Sequence, residues 1–93
     1  MIIGVMTLEF HLPSSRSLKS KRFILKSLKE RLFTKFNVSV AEIDYHDLWQ
    51  RTLLAVVVVS RDRRFANSVL SKVTDLAQRE REAVLTHTET YFV

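Results

Sequence analysis

The order in which the spacing of apolar residues changes along the chain constrains its fold more than any other feature. Residues 2–12 alternate between apolar and polar positions, which predicts a half-buried β-strand. The apolar face of this segment consists of Ile2, Met6, Leu8, Phe10 and Leu12. From Ser17 the apolar residues recur at about 100° per residue, which predicts an amphipathic helix. The stripe along this helix consists of Leu18, Leu25, Leu28, Leu32 and Phe36.

The second half of the chain shows the same two patterns. Residues 38–45 and the β-branched run 52–60 predict two strands joined by the turn HDLWQR. A second amphipathic helix is predicted over residues 63–81, with its apolar side facing the strands. Residues 83–93 are rich in threonine and aromatic side chains and predict a closing strand.

Polar residues indicate where the two helices begin and end. Ser17 is expected to cap the first helix, and Asp62 or Ser60 is expected to cap the second. Asn37 tolerates the left-handed conformation with which many helices stop, so the first helix is expected to end there.

The resulting order, βαββαβ, predicts an α+β fold of the ferredoxin-like sandwich type in a single domain of residues 1–93. In this fold two helices cover one face of a four-stranded antiparallel sheet. We further expect the first and third strands to lie side by side and parallel in the middle of the sheet. Their carboxyl ends, and the helix starts that follow them, would then share one edge.

Basic residues are concentrated around both expected helix starts. Residues 13–36 contain eight lysines and arginines against one glutamate, and the whole chain has a net charge of +5. Cations at the amino end of a helix are disfavoured by about 0.3–1 kcal/mol each, because the helix dipole leaves partial positive charge there. Such local violations tend to mark functional sites. The candidate anion-binding residues are Arg16, Lys19, Lys21, Arg22, Lys26, Arg61, Arg63 and Arg64.

If both helix starts share one edge, these residues form a single basic rim together with the hydroxyls of Ser14, Ser15 and Ser60. Lys21 falls inside the apolar stripe, so its amine is expected to extend past the end of the sheet toward the rim. Such a rim favours binding of the RNA phosphate backbone. Two alternatives stay open: a regulatory dimer that binds a small anionic metabolite at the rim, and a surface that is basic only for solubility.

Three aromatic residues fall outside the expected core. Phe23 and Phe33 lie off the apolar stripe of the first helix, and Phe23 is placed either to stack on a base or to pack against a partner. Trp49 lies in the turn HDLWQR and is expected to form a hydrophobic lid over the end of the sheet.

The third strand is apolar on both of its faces, with Leu53, Ala55, Val57 and Val59 on the face away from the expected core. Central strands of two-layer folds normally have one polar face. We therefore expect the helix-free side of the sheet to be covered, most simply in a homodimer.

Several classes of protein are not expected from this sequence. The chain has no cysteine, which excludes disulfides and thiolate zinc sites, and its three histidines fall in different elements, so no metal site is expected. It contains a single glycine and no Gly-rich phosphate loop or nucleophile motif, so neither an enzyme nor a cofactor is expected. No signal peptide and no apolar run of about 20 residues is present, which favours a cytoplasmic protein without membrane contact.

Three blocks of the sequence resemble the YlxP-like family of small bacterial proteins, a domain of unknown function. They are LEFHLPSSRSLKSKR, KERLFTKFNVSVAEID and HDLWQRTLLAVVVVSRD, and the resemblance runs over about residues 1–82. It implies a ferredoxin-like fold and, because genes of this family often neighbour those of translation and ribosome-maturation factors, a role near RNA or the ribosome. It implies no catalytic residues.

Overall fold

The computed structural model describes all 93 residues, and its elements follow the predicted order. They are β1 (Ile2–His11), α1 (Leu18–Lys35), β2 (Ser39–Asp44), β3 (Arg51–Ser60), α2 (Arg63–Gln78) and β4 (Val84–Phe92). The strands form one sheet in the order β2-β3-β1-β4, and every neighbouring pair is antiparallel. The predicted α+β, ferredoxin-like βαββαβ fold is confirmed.

The direction of β3 relative to β1 differs from the prediction. Ile2 lies opposite Ser60 and His11 lies opposite Arg51, so β1 and β3 run antiparallel and not parallel. The reason is the connection between them: α1 carries the chain back along the sheet, β2 then runs in the same direction as β1, and the tight turn after β2 reverses β3. The carboxyl ends of β1 and β3 therefore lie at opposite ends of the sheet.

Both helices begin at predicted caps. The Ser17 side chain accepts a hydrogen bond from the Ser20 amide, and the Asp62 side chain accepts one from the Phe65 amide. The predicted end of α1 near Asn37 is confirmed to within two residues, but no left-handed residue stops the helix: its C-cap, Phe36, is extended, and Tyr45 is the one non-glycine residue with positive φ. No helix is both long and apolar enough to cross a bilayer.

The core lies between the helical layer and one face of the sheet. Four alternate residues of the predicted apolar face of β1, from Met6 to Leu12, are buried in it. Leu28 and Leu32 of α1 are fully buried against the sheet, and Leu70 of α2 is nearly so. The apolar faces of the helices and of the strands thus pack together in one layer.

Gly4, the single glycine of the chain, makes room for α2. A Cβ atom at this position would lie 3.1 Å from the Leu70 Cδ1 atom and 3.1 Å from the Val58 Cγ1 atom. Such distances are too short for ordinary packing, so the missing side chain lets Leu70 approach the middle of the sheet.

We expect substitution of Leu54 by alanine to lower the free energy of unfolding by about 2–5 kcal/mol, because this fully buried side chain would leave a cavity. Leu48→Ala is the matched control, because Leu48 is about half exposed in the turn before β3 and should change stability by no more than about 0.5 kcal/mol. Urea unfolding followed by circular dichroism measures both. Equal losses would contradict the placement of the core.

Candidate nucleic-acid interface

The structure separates the two basic clusters that the sequence analysis placed on one rim. Arg16, Lys19, Arg22 and Lys26 lie beside the end of β1, whereas Arg61, Arg63 and Arg64 follow the end of β3. Because β1 and β3 are antiparallel ten-residue strands, the two helix starts lie about 30 Å apart along the sheet. The prediction of a single converging rim is wrong.

Lys21 does not point toward a rim either. Its side chain is 2% exposed, and its Nζ atom lies 2.9 Å from Glu42 Oε2 and donates a 2.6 Å hydrogen bond to the Tyr45 carbonyl. The position of the side chain within the apolar stripe of α1 is as predicted, but its amine binds acceptors of the same chain. Lys21 is therefore removed from the anion-binding set.

The contacts of Lys21 belong to a small polar cluster that joins α1 to the edge of the sheet. Thr52 donates a 2.6 Å hydrogen bond to the same Glu42 oxygen that Lys21 contacts. Tyr45 adopts a φ of 64°, and its carbonyl also accepts a bond from the Leu48 amide. A tyrosine in the left-handed region is uncommon and needs surrounding contacts to hold it. The Lys21 amine supplies one of them.

The sequence analysis missed Glu42 as the partner of Lys21, although a signal was present. Glu42 continues the inward alternation of Val38 and Val40 in β2, so it is an acidic residue at a core-facing position. Lys21 is a basic residue at a core-facing position of the neighbouring helix. A buried charge needs a partner of opposite sign, so two core-facing residues of opposite charge on neighbouring elements predict an ion pair between them.

Ser15 also leaves the candidate set of hydroxyls. It is fully buried, and its Oγ atom donates a hydrogen bond to the Ser17 carbonyl. The Ser60 hydroxyl is likewise engaged, because it accepts from the Asp62 amide and donates to the Asp62 carbonyl. Neither hydroxyl is directed at an external anion in this structure.

Four other cations of α1 form a strip along its surface, three of them exposed and Lys29 half-buried. Lys19, Arg22, Lys26 and Lys29, called the α1 stripe below, are spaced by three or four residues, so they fall within a sector of about 80° and span about 15 Å. None of them forms an ion pair within the chain. Arg16 is exposed in the loop just before the helix and extends the stripe. Lys29 was not among the predicted residues, although the same spacing rule includes it.

An exposed aromatic side chain borders the stripe. Phe23 follows Arg22 in sequence, lies beside the stripe on the helix surface and is 76% exposed. Phe33 is half exposed one turn beyond Lys29. Their predicted positions off the apolar stripe are confirmed, and whether either stacks on a base stays a prediction.

The second cluster, at the start of α2, is smaller and partly engaged. Asp62 lies among the three arginines as the helix cap and compensates part of their charge. The Arg63 guanidinium lies 4.5 Å from the centre of the Phe92 ring, a cation–π contact within the chain. Arg61 and Arg64 are exposed. This end of the molecule therefore offers fewer free cations than the α1 stripe.

Trp49 lies at the same end of the molecule as the start of α1. The neighbouring Gln50 side chain donates hydrogen bonds to the carbonyls of Pro13 and Ser15, which ties the turn before β3 to the loop before α1. Trp49 itself is 54% exposed. About half of its surface therefore faces solvent beside the basic loop, and whether the other half covers the end of the sheet stays a prediction.

Comparison with known proteins agrees with this architecture and these blocks of sequence. Residues 3–90 match the family DUF503, which is described as proteins of unknown function. The chain belongs to the DUF503 family. It is also 38% identical over 90 residues to the uncharacterized protein YlxP of Bacillus subtilis (strain 168), covering 95% of this chain and 98% of that protein. The resemblance to YlxP-like proteins is confirmed.

The polar cluster of this DUF503 chain leads to a stability prediction. Lys21→Met should lower the free energy of unfolding by about 3 kcal/mol, because Glu42 and the Tyr45 carbonyl lose a buried donor. This value is at the low end of about 3–5 kcal/mol for breaking a buried ion pair, because Glu42 keeps some contact with water. The control Lys19→Met removes an exposed lysine of the same helix and should cost at most about 0.5 kcal/mol.

A double variant tests whether the loss comes from the pair itself. In Lys21→Met/Glu42→Gln a neutral amide replaces the carboxylate, so no buried charge is left unpaired and part of the stability lost in Lys21→Met should be recovered. The changes in unfolding free energy caused by the two substitutions should therefore be non-additive in urea unfolding. Additive losses would show that Lys21 and Glu42 act independently.

Proposed function

We propose that this protein is a cytoplasmic RNA-binding accessory factor, without a catalytic step of its own, that contacts the phosphate backbone through the α1 stripe. The observation that carries the proposal is the row of unpaired cations on α1: Lys19, Arg22 and Lys26 are exposed and Lys29 is half-buried. Each phosphate that such a side chain neutralises releases counterions and adds affinity without reading sequence.

The position of the stripe supports a functional origin for these charges. The first turn of α1 contains no acidic residue, although an acid there would interact favourably with the helix dipole. Lys19, the member of the stripe in that turn, instead opposes the dipole by about 0.3–1 kcal/mol. A surface kept basic only for solubility gains nothing from placing its charges at this end of the helix. A bound polyanion would reverse the sign of this interaction.

The shape of the surface favours an extended polyanion over a small metabolite. A small anion is held by donors that converge on it, as at a phosphate-binding nest. The α1 stripe lies on the convex outside of a helix and is spread over about 15 Å. The metabolite alternative depended on two helix starts meeting at one rim, and these starts lie at opposite ends of the sheet.

The exposed aromatic residues point to RNA with unpaired bases as the target. Phe23 lies beside the α1 stripe, and Trp49 lies at the end of the molecule where the stripe begins. Aromatic rings beside cations bind single-stranded nucleic acid by stacking on bases while the cations hold the backbone. Ribosomal RNA, which offers many unpaired loops, fits the role near the ribosome implied by the family resemblance.

Charge reversal in the stripe gives a direct test. We expect Arg22→Glu/Lys26→Glu to weaken binding of a labelled RNA hairpin with a single-stranded tail by about tenfold at physiological salt, and to lower the slope of log affinity against log salt by about 1.4. Fluorescence anisotropy titrations at several salt concentrations measure both quantities.

Arg61→Glu/Arg64→Glu is the matched control, because it changes the net charge by the same amount at the opposite end of the molecule. It should leave the salt slope unchanged and lower the affinity only slightly, through the long-range field. Equal effects of the two double variants would mean that net charge, and not the α1 stripe, governs binding.

Trp49 provides an independent readout, since it is the single tryptophan of the chain. We expect RNA with an unpaired tail to quench and shift its fluorescence, because a base would exclude water from the exposed ring. Trp49→Phe should keep most of the affinity and Trp49→Ala should lose several-fold. If anisotropy shows that the RNA is fully bound and the tryptophan fluorescence is still unchanged, Trp49 lies outside the interface.

A further inference from the structure

The face of the sheet opposite the helices carries an apolar surface that no part of the chain covers. Both helices pack on the other face, where the alternate residues of β1 and β3 are buried. On the open face Ile3 lies opposite Val59 and Val5 lies opposite Val57. Val59 is 60% exposed, although it belongs to a central strand.

The open face is divided along its length into an apolar and a charged half. The apolar half contains the residues near the start of β1 with their neighbours on β3 and β4. Its members are Ile3, Val5, Ala55, Val57, Val59 and Tyr91. The charged half contains Glu9 and Arg51, joined by a 2.9 Å ion pair, with His11, His87 and one apolar residue, Leu53, beside them. Glu89, opposite Thr7, lies at the border between the two halves.

We propose that a second copy of this chain packs its own open face on this surface, with the two-fold axis running along the strands between β1 and β3. The choice of axis follows from the division of the face. An axis across the strands would put the charged half of one copy on the apolar half of the other. An axis along the strands places like halves together, so that β1 of one copy lies over β3 of its partner.

Charge complementarity supports this axis. The Arg51 guanidinium donates to Glu9 and stacks over the Tyr45 ring at 3.9 Å, so it is held in place on the open face. The guanidinium is charged at neutral pH in any case, and the hydrogen bond to Glu9 raises the pKa of Arg51 further. In the strand register Glu9 lies opposite Leu53, and the Arg51 side chain reaches diagonally from its place opposite His11 to bind Glu9 across the gap between β1 and β3. An axis along that gap therefore places the Glu9–Arg51 pair of one copy over the same pair of its partner, where the two pairs can join into a network of alternating charges.

The available area is sufficient for a specific but modest dimer. Four strands with ten residues in the longest give a face of about 33 Å by 19 Å, on the order of 600 Å² for each copy. The total of about 1,200 Å² lies at the lower end of specific interfaces. Aligned packing of two twisted sheets is the usual arrangement of a β-sandwich. We therefore expect a dissociation constant on the order of micromolar.

The free edge of β4 is the competing route to a dimer. Its nine residues contain no proline or lysine that would protect the edge. However, its pairing with β1 is interrupted by a bulge next to Glu9 and Phe10, which breaks the regular row of backbone groups. The open face, in contrast, has an apolar half that extends over β1 and β3 without a bulge, so it is the better interface.

Sedimentation equilibrium of the full chain and its variants tests the proposal. The wild-type protein should dimerise with increasing concentration. Val57→Glu and Val59→Glu, each placing a carboxylate on the apolar half, should weaken the dimer at least tenfold. Val59 is exposed in the isolated chain, so the Val59→Glu variant should show the same circular dichroism spectrum as the wild type. The control Phe33→Glu places the same charge on an exposed aromatic residue of α1 and should leave the dimer unchanged.

Cross-linking distinguishes the face from the edge. The chain has no cysteine, so Thr7→Cys at the centre of the open face and Ser27→Cys in the helical layer are unique sites. A short bismaleimide should link two Thr7→Cys chains efficiently and Ser27→Cys chains poorly. A wild-type monomer at high concentration, or a dimer that persists in both valine variants, would overturn the proposal. Neither result bears on RNA binding, because the α1 stripe lies on the opposite layer.

Discussion

The antiparallel pairing of β1 with β3 is the constraint on which the rest of the structure depends. It sets Ile2 beside Ser60 and His11 beside Arg51, so it decides which loops share an end of the molecule. The start of α1 and the turn before β3 meet at one end, where Gln50 bonds to the loop before α1. The start of α2 is held at the other end. A parallel pairing of the same strands would exchange these neighbours and would require a crossover connection in place of the hairpin.

The fold could be predicted from sequence because each element buries one face, and the period of burial differs between helices and strands. The direction of β3 could not be obtained from that pattern. The run TLLAVVVVS alternates in the same way whichever end is taken first. Direction is carried by the connections instead: six residues between β2 and β3 allow only a reversal, whereas a parallel step needs a dozen or more. Applying this rule to residues 45–50 would have separated the basic clusters without a structure.

The candidate site was harder to predict because the sequence shows charge but not its partner. Lys21 and Lys19 look alike as basic residues near a helix start, yet one is buried against Glu42 and the other is exposed. The difference depends on which strand lies beneath the helix, and only the tertiary arrangement supplies that. The same distinction applies to Arg31, which pairs with Glu80 of α2, and Lys26, which pairs with nothing. Unpaired cations, and not all cations, are the ones free to bind an external anion.

The two layers of the molecule place the proposed surfaces back to back. In a dimer formed through the open faces, both helical layers point outward, and the two α1 stripes lie on opposite sides of the assembly. Each stripe would then bind its own segment of RNA, and the two-fold axis would relate the segments. A short RNA should therefore bind once per chain without cooperativity, whereas a long folded RNA that reaches both sides gains from the second contact by effective concentration. The modest area of the sheet interface matters here, because RNA that engages both stripes would in turn stabilise the dimer by linkage.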